Sequence, residues 1–322
     1  MSKVKSYLSL IKFSHTIFAM PFALIGFCLA VQDDIKDWMF KLRWDSKHDS
    51  GPDSLGYTIS IGSLYAPNAE KLPIWLIFLF VVLCMVFARN AAMAFNRYLD
   101  RSFDAKNPRT AIREVPSGII SANNALVFTI ISCVLFLVTC FFINRICFYL
   151  SPVALLVILG YSYTKRFTPL CHLILGLGLS LAPIGAYLAV TGRFDLLPIL
   201  FSFTVLFWVS GFDIIYALQD EEFDKTNKLY SIPAWLGKSK ALRVSELLHV
   251  FSAVCVLFAG WLGNFGWLYW IGSVIFIGML VYQHSIVKPN DLKRVNFAFM
   301  TANGIASVVF GVFVIADLFI NY

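Results

Sequence analysis

Nine long apolar segments constrain this chain more than any other feature of its sequence. A helix needs about 20 apolar residues to cross the hydrocarbon core of a membrane. The segments that approach or exceed this length are 14–31, 73–95, 122–143, 147–163, 170–190, 196–215, 244–262, 266–284 and 296–320. Only 14% of the residues are charged and 59% are hydrophobic, whereas soluble domains contain about 25% charged residues. We therefore predict an all-α, polytopic membrane protein, and we exclude a secreted disulfide domain, a nucleic-acid-binding protein and a disordered chain.

Short polar turns separate most of these segments, which predicts a bundle of antiparallel neighbours in one domain over residues 1–322. The stretch 32–72 interrupts this pattern. It is too polar to cross a membrane, and it is too rich in Gly, Pro, Ser and Asp for one continuous helix. We expect it to form an inserted loop on the outer side, with its aromatic residues resting on the membrane surface.

The Lys and Arg residues predict the orientation of the bundle, because cytoplasmic loops of membrane proteins carry an excess of both. With the N-terminus inside, 19 of the 26 basic residues lie in inner segments and 7 lie in outer segments. This places the N-terminus in the cytoplasm and the C-terminus outside, in a cytoplasmic (inner) membrane. The net charge of +7 is explained by this bias and implies no nucleic-acid partner.

Two of the predicted inner loops carry regularly spaced polar side chains. The first cluster is Asn96, Asp100 and Asp104, directly after the second apolar segment; the second cluster is Tyr216, Asp220 and Asp224, after the sixth. Within each cluster the spacing is i, i+4, i+8. At 3.6 residues per turn each step advances only about 40° around a helix. Each cluster is therefore predicted to occupy one helix face.

Carboxylates gathered at one membrane depth repel each other unless a cation lies between them. Mg²⁺ suits such ligands, because it binds one or two carboxylates and keeps positions open for phosphate oxygens. Basic residues accompany the clusters, at Arg109, Arg113 and Lys165, and such side chains bind phosphate. The pattern predicts a magnesium–diphosphate site, and the absence of a Gly-rich P-loop argues against hydrolysis of a nucleoside triphosphate.

These motifs resemble the two signatures of the UbiA-type intramembrane aromatic prenyltransferases. The residues that carry the resemblance are Asn96-x3-Asp100-x3-Asp104 with Asn107-Pro108-Arg109-Thr110, and Asp213 to Asp220 with Asp224. Residues 161–166 and 231–237 look like further family elements in the expected order. Residues 11–22 resemble the 4-hydroxybenzoate polyprenyltransferase branch. The resemblance covers about residues 8 to 320 apart from the outer loop.

The resemblance implies a nine-helix bundle with a central cavity open sideways to the lipid. It also implies that a polyprenyl group is transferred from polyprenyl diphosphate to an aromatic acceptor, with Mg²⁺ as cofactor. By position, Asn96, Asp100 and Asp104 would bind one Mg²⁺–diphosphate unit, and Asp220 and Asp224 would bind a second. Asp213 and Tyr216 would line the catalytic site, and Arg109, Arg113 and Lys165 would hold the diphosphate. Phe223 departs from the family pattern, since many members have Asp there.

Three questions stay open at the level of the sequence. The acceptor expected first is 4-hydroxybenzoate, for ubiquinone, but a naphthoate-like acceptor of menaquinone synthesis fits the same motifs. The prenyl chain length depends on the depth of the cavity. A transporter is the alternative from another class, because carboxylates inside membranes often mark ion paths. Transporter sites typically lie near the midplane on interrupted helices, whereas both clusters here are predicted at helix ends.

Overall fold

In the part of the chain that the structure describes, the fold consists of nine long helices joined mostly by short turns. The computed structural model describes residues 7, 9, 10, 18–48 and 72–321. Within these ranges the long helices are α1 (Met20–His48), α2 (Ile74–Leu99), α3 (Ala122–Ile143), α4 (Arg145–Thr164), α5 (Cys171–Thr191), α6 (Leu196–Ala217), α7 (Lys238–Leu262), α8 (Trp267–Ile286) and α9 (Asn303–Ile320). Short helices cover Arg101–Asp104, Glu221–Thr226, Ile232–Leu236 and Val295–Phe297.

Eight of the long helical segments have the length and apolar composition needed to cross a membrane. The exception is α1, whose apolar part covers Met20–Asp33. Apart from α1, the helix ends lie within seven residues of the predicted segments, and α3 has the predicted bounds. The first predicted segment, 14–31, begins outside the described residues, and α1 extends well beyond its end. The prediction of an all-α membrane bundle is confirmed in the described part of the chain.

The prediction for residues 32–72 is wrong in its first part, because α1 continues as a helix to His48. The polar composition of residues 32–48 argues against a membrane span, but it does not prevent a helix. The Gly and Pro residues that favour a loop all lie beyond His48. Residues 49–71, to which the rest of this prediction applies, lie outside the described residues.

Buried aromatic rings fill the centre of the bundle. Trp208 of α6 packs against Phe22 of α1 and Phe276 of α8, and all three side chains are fully buried. Small residues bring the helices close together: a Cβ at Gly176 of α5 would collide with the backbone of Leu206 of α6. Close backbone approach at small residues is typical of helix packing in membranes.

Both helices that carry the polar clusters end within them. Helix α2 ends at Leu99, so Asp100 lies between it and the short helix Arg101–Asp104. Helix α6 ends at Ala217 and is followed by a 3₁₀ turn, Leu218–Asp220, before the helix Glu221–Thr226 begins. The prediction that each cluster lies on one uninterrupted helix is therefore wrong. At the first break the carbonyl of Leu99 accepts a hydrogen bond from Arg166, so a side chain satisfies one carbonyl of the helix end.

Candidate active site

A polar cavity of about 260 Å³ lies where the C-terminal ends of α2, α4 and α6 meet the start of α5. Nine of the ten predicted site residues line it, namely Asn96, Asp100, Asp104, Arg109, Arg113, Lys165, Asp213, Tyr216 and Asp220. The tenth, Asp224, is fully buried beside it and contacts Lys165. The structure therefore brings the two clusters and their basic neighbours into one place.

The first cluster is held by two arginines. Nη1 of Arg113 donates to both carboxylate oxygens of Asp104, at 2.8 and 2.9 Å. Nη2 of Arg166 lies 3.3 Å from Oδ1 of Asp100, and Nδ2 of Asn96 donates to the other oxygen of Asp100 at 2.9 Å. Both carboxylates of this cluster are thus paired with a guanidinium.

In the second cluster, Asp220 receives the most donors. Nη2 of Arg109 forms a close ion pair with one oxygen, while Nε of Arg109 and Nδ2 of Asn107 each donate to the other at 3.2 Å. Nη1 of the same arginine donates to the hydroxyl of Tyr216 at 2.8 Å. Arg109 therefore ties the segment after the first cluster to the second cluster.

Asp224 is held by one charged and one neutral donor. Nζ of Lys165 lies 2.7 Å from Oδ1, and the hydroxyl of Ser231 donates to Oδ2 at 2.8 Å. The backbone N–H of Tyr230 also donates to the carbonyl of Lys165, at 2.7 Å. The segment 230–231 therefore fixes both members of this ion pair.

Asp213 lies on α6, two helical turns before Asp220, and its partner is a histidine. Nδ1 of His172, near the start of α5, lies 2.7 Å from Oδ2 of Asp213. The imidazole is almost completely buried, whereas 23% of the Asp213 side chain is exposed. The sequence assigned no role to His172, because residues on different helices reveal no spacing pattern.

The charges of the site perturb its ionisable groups outside the membrane spans. Burial raises the pKa of Asp100, and the neighbouring carboxylate of Asp104 raises it further. For Arg109, burial favours the neutral form, but Asp220 and Tyr216 more than offset this and raise its pKa overall. The charged form of Asp100 is therefore disfavoured overall, and a bound metal ion would counter this effect.

Sequence reasoning also missed three other residues of the polar cavity. Arg166 holds Asp100, Asn107 holds Asp220, and the ring of Phe299 stacks on Tyr216 with 4.2 Å between centroids. Arg166 and Asn107 lie inside the quoted motifs, so their presence in the motifs was the available signal. Phe299 belongs to a π-helical turn, Ala298–Ala302. Such turns occur often at functional sites, but they cannot be recognised from a single sequence.

An apolar cavity of about 420 Å³ adjoins the polar cavity, between α2, α4 and α5. Three residues line both cavities: Met93, Tyr161 and Leu175. Leu150 and Val153 of α4 also line the apolar cavity, and both are exposed on the outer surface of the bundle. The apolar cavity therefore opens sideways between helices, on a surface that faces lipid in a membrane protein.

Comparisons with known proteins agree with this architecture. The model of the UbiA prenyltransferase family matches residues 55–305. The chain is 30% identical to a 4-hydroxybenzoate octaprenyltransferase of Nitrosospira multiformis over 248 residues, which are 77% of this chain and 84% of the relative. It is 28% identical to the enzyme of the same name from Tolumonas auensis, over 69% of this chain and 77% of the relative.

Solved structures show the same fold. The apo structure of a UbiA homologue from Aeropyrum pernix K1 matches with a TM-score of 0.74 and 26% identity, covering 94% of this chain and 98% of that one. A UbiA homologue from Archaeoglobus fulgidus bound to DMAPP and Mg²⁺ matches with a TM-score of 0.69 and 20% identity, covering 98% and 99% of the two chains.

The chain belongs to the UbiA prenyltransferase family. It is accordingly an integral, multi-pass membrane enzyme that transfers prenyl groups. The transporter alternative is set aside by this membership.

The polar cavity has the ligand chemistry that Mg²⁺ requires. Its carboxylate and amide oxygens are hard donors, which Mg²⁺ prefers. In the described part of the chain, no three acidic, His or Cys side chains already converge on one point, since each carboxylate of the two clusters contacts a basic side chain. The residues fit the metal by type, and they must exchange partners to bind it.

Proposed function

We propose that this enzyme transfers a polyprenyl group from polyprenyl diphosphate to 4-hydroxybenzoate, with Mg²⁺ as cofactor, in quinone synthesis. One observation carries the proposal: a polar cavity lined by acidic and basic side chains joins an apolar cavity through Met93, Tyr161 and Leu175. A polyprenyl diphosphate has the same two parts, a charged head and a long apolar tail. Relatives named 4-hydroxybenzoate octaprenyltransferase support the choice of acceptor.

The diphosphate would bind by an exchange of partners among the charged residues. Four carboxylates now contact Arg109, Arg113, Lys165 and Arg166. If Asn96 and these four carboxylates bound Mg²⁺ instead, the four basic side chains would be released toward the phosphate oxygens. Arginine binds phosphate in a bidentate manner. The positive charge of Mg²⁺ would be offset by the negative charge of the diphosphate, so the net charge of the site would change little.

Bond cleavage leaves negative charge on the departing diphosphate and positive charge on the allylic carbon. Bound Mg²⁺ supplies Lewis-acid stabilisation of the first charge. Arg109 and Arg113 add hydrogen bonds that strengthen as that charge develops. The aromatic rings of Tyr216 and Phe299, stacked in the wall of the polar cavity, face the second charge with π-electrons and exclude water.

Arg89 is the candidate anchor for the acceptor. Among the described residues that line the apolar cavity it is the one basic side chain, and it lies seven residues, two helical turns, before Asn96 on α2. A carboxylate-bearing acceptor needs a cation in such surroundings, because an unpaired buried charge is costly. We expect Arg89→Leu to raise KM for 4-hydroxybenzoate at least tenfold while KM for the prenyl diphosphate stays within a factor of two.

The orientation and the location in the cytoplasmic membrane are part of the proposal. With the N-terminus inside, the polar cavity opens to the cytoplasm. We expect a membrane-impermeant thiol reagent, applied from outside to sealed right-side-out membranes, to label Arg145→Cys and to spare Lys106→Cys. The native chain is the control, because it shows how strongly the reagent labels the cysteines that are already present. The reverse pattern would contradict the orientation.

The function itself is tested with purified protein in lipid nanodiscs, Mg²⁺ and a set of prenyl diphosphates and aromatic acceptors. We expect 4-hydroxybenzoate to be prenylated faster than 1,4-dihydroxy-2-naphthoate. A preference for the naphthoate would assign the enzyme to menaquinone synthesis. Failure to prenylate every aromatic acceptor would overturn the proposal.

A further inference from the structure

Asp213 differs from the other acidic residues of the site in the group that holds it. The four carboxylates of the two clusters each contact an Arg or Lys. The contact that holds Asp213 is the 2.7 Å hydrogen bond to Nδ1 of His172. This carboxylate is thus bound by an imidazole in a site where guanidinium and ammonium groups are abundant.

The surroundings of His172 determine where its proton lies. The backbone N–H of Ile232 donates to Nε2 of the imidazole at 3.4 Å. This contact leaves Nδ1 as the ring nitrogen that donates to Asp213. His172 uses Oδ2 of Asp213 and leaves Oδ1 available to a group in the cavity.

The position of Asp213 separates it from diphosphate binding. It lies on α6, four residues or about 6 Å before the end of this helix, and Asp220 lies in the turn that follows. Asp213 therefore lies away from the C-terminal end of α6, where Arg109 and Lys165 contact the second cluster. Asp213 nevertheless lines the polar cavity. Its partner His172 lies three residues before Leu175 on α5, so these two side chains share one face of the helix, and Leu175 lines both cavities. The carboxylate is therefore placed near the junction of the two cavities, where the reacting carbons would meet.

We propose that Asp213 is the base that takes the ring proton of the aromatic acceptor, and that His172 is the positioning residue that holds Asp213 for this step. The inference rests on the proposed prenyl transfer. A single donor at Oδ2 suits a base, because it leaves Oδ1 available to accept a proton, whereas the carboxylates of the two clusters each contact an Arg or Lys. The imidazole fixes the orientation of the carboxylate.

The proposed step balances as follows for one turnover. An electron pair of the acceptor ring forms the new C–C bond to the allylic carbon, and the pair of the broken C–O bond leaves with the diphosphate. The C–H pair at the substituted ring carbon then returns to the ring, and the proton passes to Oδ1 of Asp213. The neutral carboxyl gives this proton to water when the product leaves.

The test compares an acceptor carrying hydrogen with one carrying deuterium at the ring carbon that is prenylated. In the native enzyme, cleavage of the C–O bond is expected to limit the rate, so the two acceptors should react equally fast. Removing the donor in His172→Leu should lower kcat roughly tenfold and make proton removal rate-limiting, so that a primary isotope effect appears. KM for the prenyl diphosphate should not change. His172→Asn keeps an N–H donor near Nδ1 and should restore most of kcat.

The matched control is His249→Leu. His249 is another buried imidazole in the membrane bundle, and it contacts His284 and the carbonyl of Trp208 rather than the site. Removing this side chain should produce no isotope effect, as in the native enzyme. Asp213→Asn, which is isosteric, repeats the test if His172→Leu does not insert into the membrane, and it should show the isotope effect with a larger loss of kcat.

Two outcomes would count against the proposal in different ways. A fall in kcat without an isotope effect in both His172→Leu and Asp213→Asn would overturn the assignment of the base while leaving prenyl transfer established. Absence of transfer to any aromatic acceptor by the native enzyme would overturn the proposed function, and this assignment with it.

Discussion

The first and second clusters carry similar acidic residues but differ in how many of their carboxylates have a neutral donor in addition to a cation. In the first cluster the side chains of Asp100 and Asp104 are 25% and 10% exposed, and their main partners are arginines. In the second cluster Asp220 and Asp224 are 14% and 0% exposed. Each of these also accepts a hydrogen bond from a neutral side chain, from Asn107 or Ser231. In the first cluster Asp100 accepts one from Asn96, and the side-chain donor of Asp104 is Arg113.

This difference indicates how the two clusters would respond to substrate. When arginines turn toward a diphosphate, Asp104 loses two hydrogen bonds at once, since both come from Nη1 of Arg113. Asp220 and Asp224 keep Asn107 and Ser231. We therefore expect the second cluster to be the preformed part of the metal site and the first cluster to be the part that rearranges.

The largest effect should come from removing a carboxylate of either cluster. Asp100→Ala and Asp220→Ala should each abolish prenyl transfer, as should EDTA, because in the proposed metal site each cluster would supply ligands for Mg²⁺. Steady-state transfer in nanodiscs is the measurement. Glu222→Ala is the matched control, since Glu222 is acidic, adjacent to the second cluster and exposed. Full activity in Asp220→Ala would remove the second cluster from the metal site.

Removing single basic residues should lower kcat/KM by intermediate amounts, and the size of each loss should differ between the two clusters. Hydrogen bonds to charged groups contribute about 1.5–3 kcal/mol each, so Arg109→Ala, Arg113→Ala and Lys165→Ala should each lower kcat/KM for the prenyl diphosphate roughly tenfold to a hundredfold. Arg109→Ala should cost the most, because Arg109 also holds Tyr216. Arg113→Lys should recover only part of the loss, since Lys lacks the bidentate fork.

Arg101→Ala provides the control for charge alone. Arg101 is exposed and donates to the carbonyl of Tyr98, and it counts equally toward the inner positive charge. Wild-type kinetics in all three site variants would mean that these residues serve the orientation of the chain and that Mg²⁺ alone holds the diphosphate.

The smallest effect should come from the neutral donors, and it tests the preformed character of the second cluster directly. A neutral hydrogen bond contributes about 1 kcal/mol, so Asn107→Ala and Ser231→Ala should each raise the Mg²⁺ concentration for half-maximal activity about fivefold. Ser117→Ala is the control, because the hydroxyl of Ser117 is exposed and donates to the backbone carbonyl of Arg113, four residues earlier, rather than to a carboxylate of either cluster. An unchanged Mg²⁺ requirement in both variants would remove the proposed difference between the clusters.

The membrane spans and the members of the site were predictable from the sequence, because both are encoded locally. A span depends on about 20 consecutive residues, and the motifs that contain Asp100 and Asp220 are short. The pairing of residues was not predictable. His172 contacts Asp213 although the two residues lie 41 positions apart in the sequence. Phe299 contacts Tyr216 from a distant part of the sequence. The interruptions at Asp100 and Ala217 were also missed, because a spacing of four residues is equally compatible with a helix that breaks and resumes.

The exposed position of Leu150 and Val153 beside the apolar cavity affects how the rate of this enzyme should be expressed. A substrate that enters through the side of the bundle is drawn from the bilayer, where its amount is counted per lipid molecule. Diluting a suspension of proteoliposomes with buffer should leave turnover per enzyme unchanged, whereas adding inert lipid to the same vesicles should lower it. For this enzyme the relevant substrate concentration is a mole fraction within the membrane.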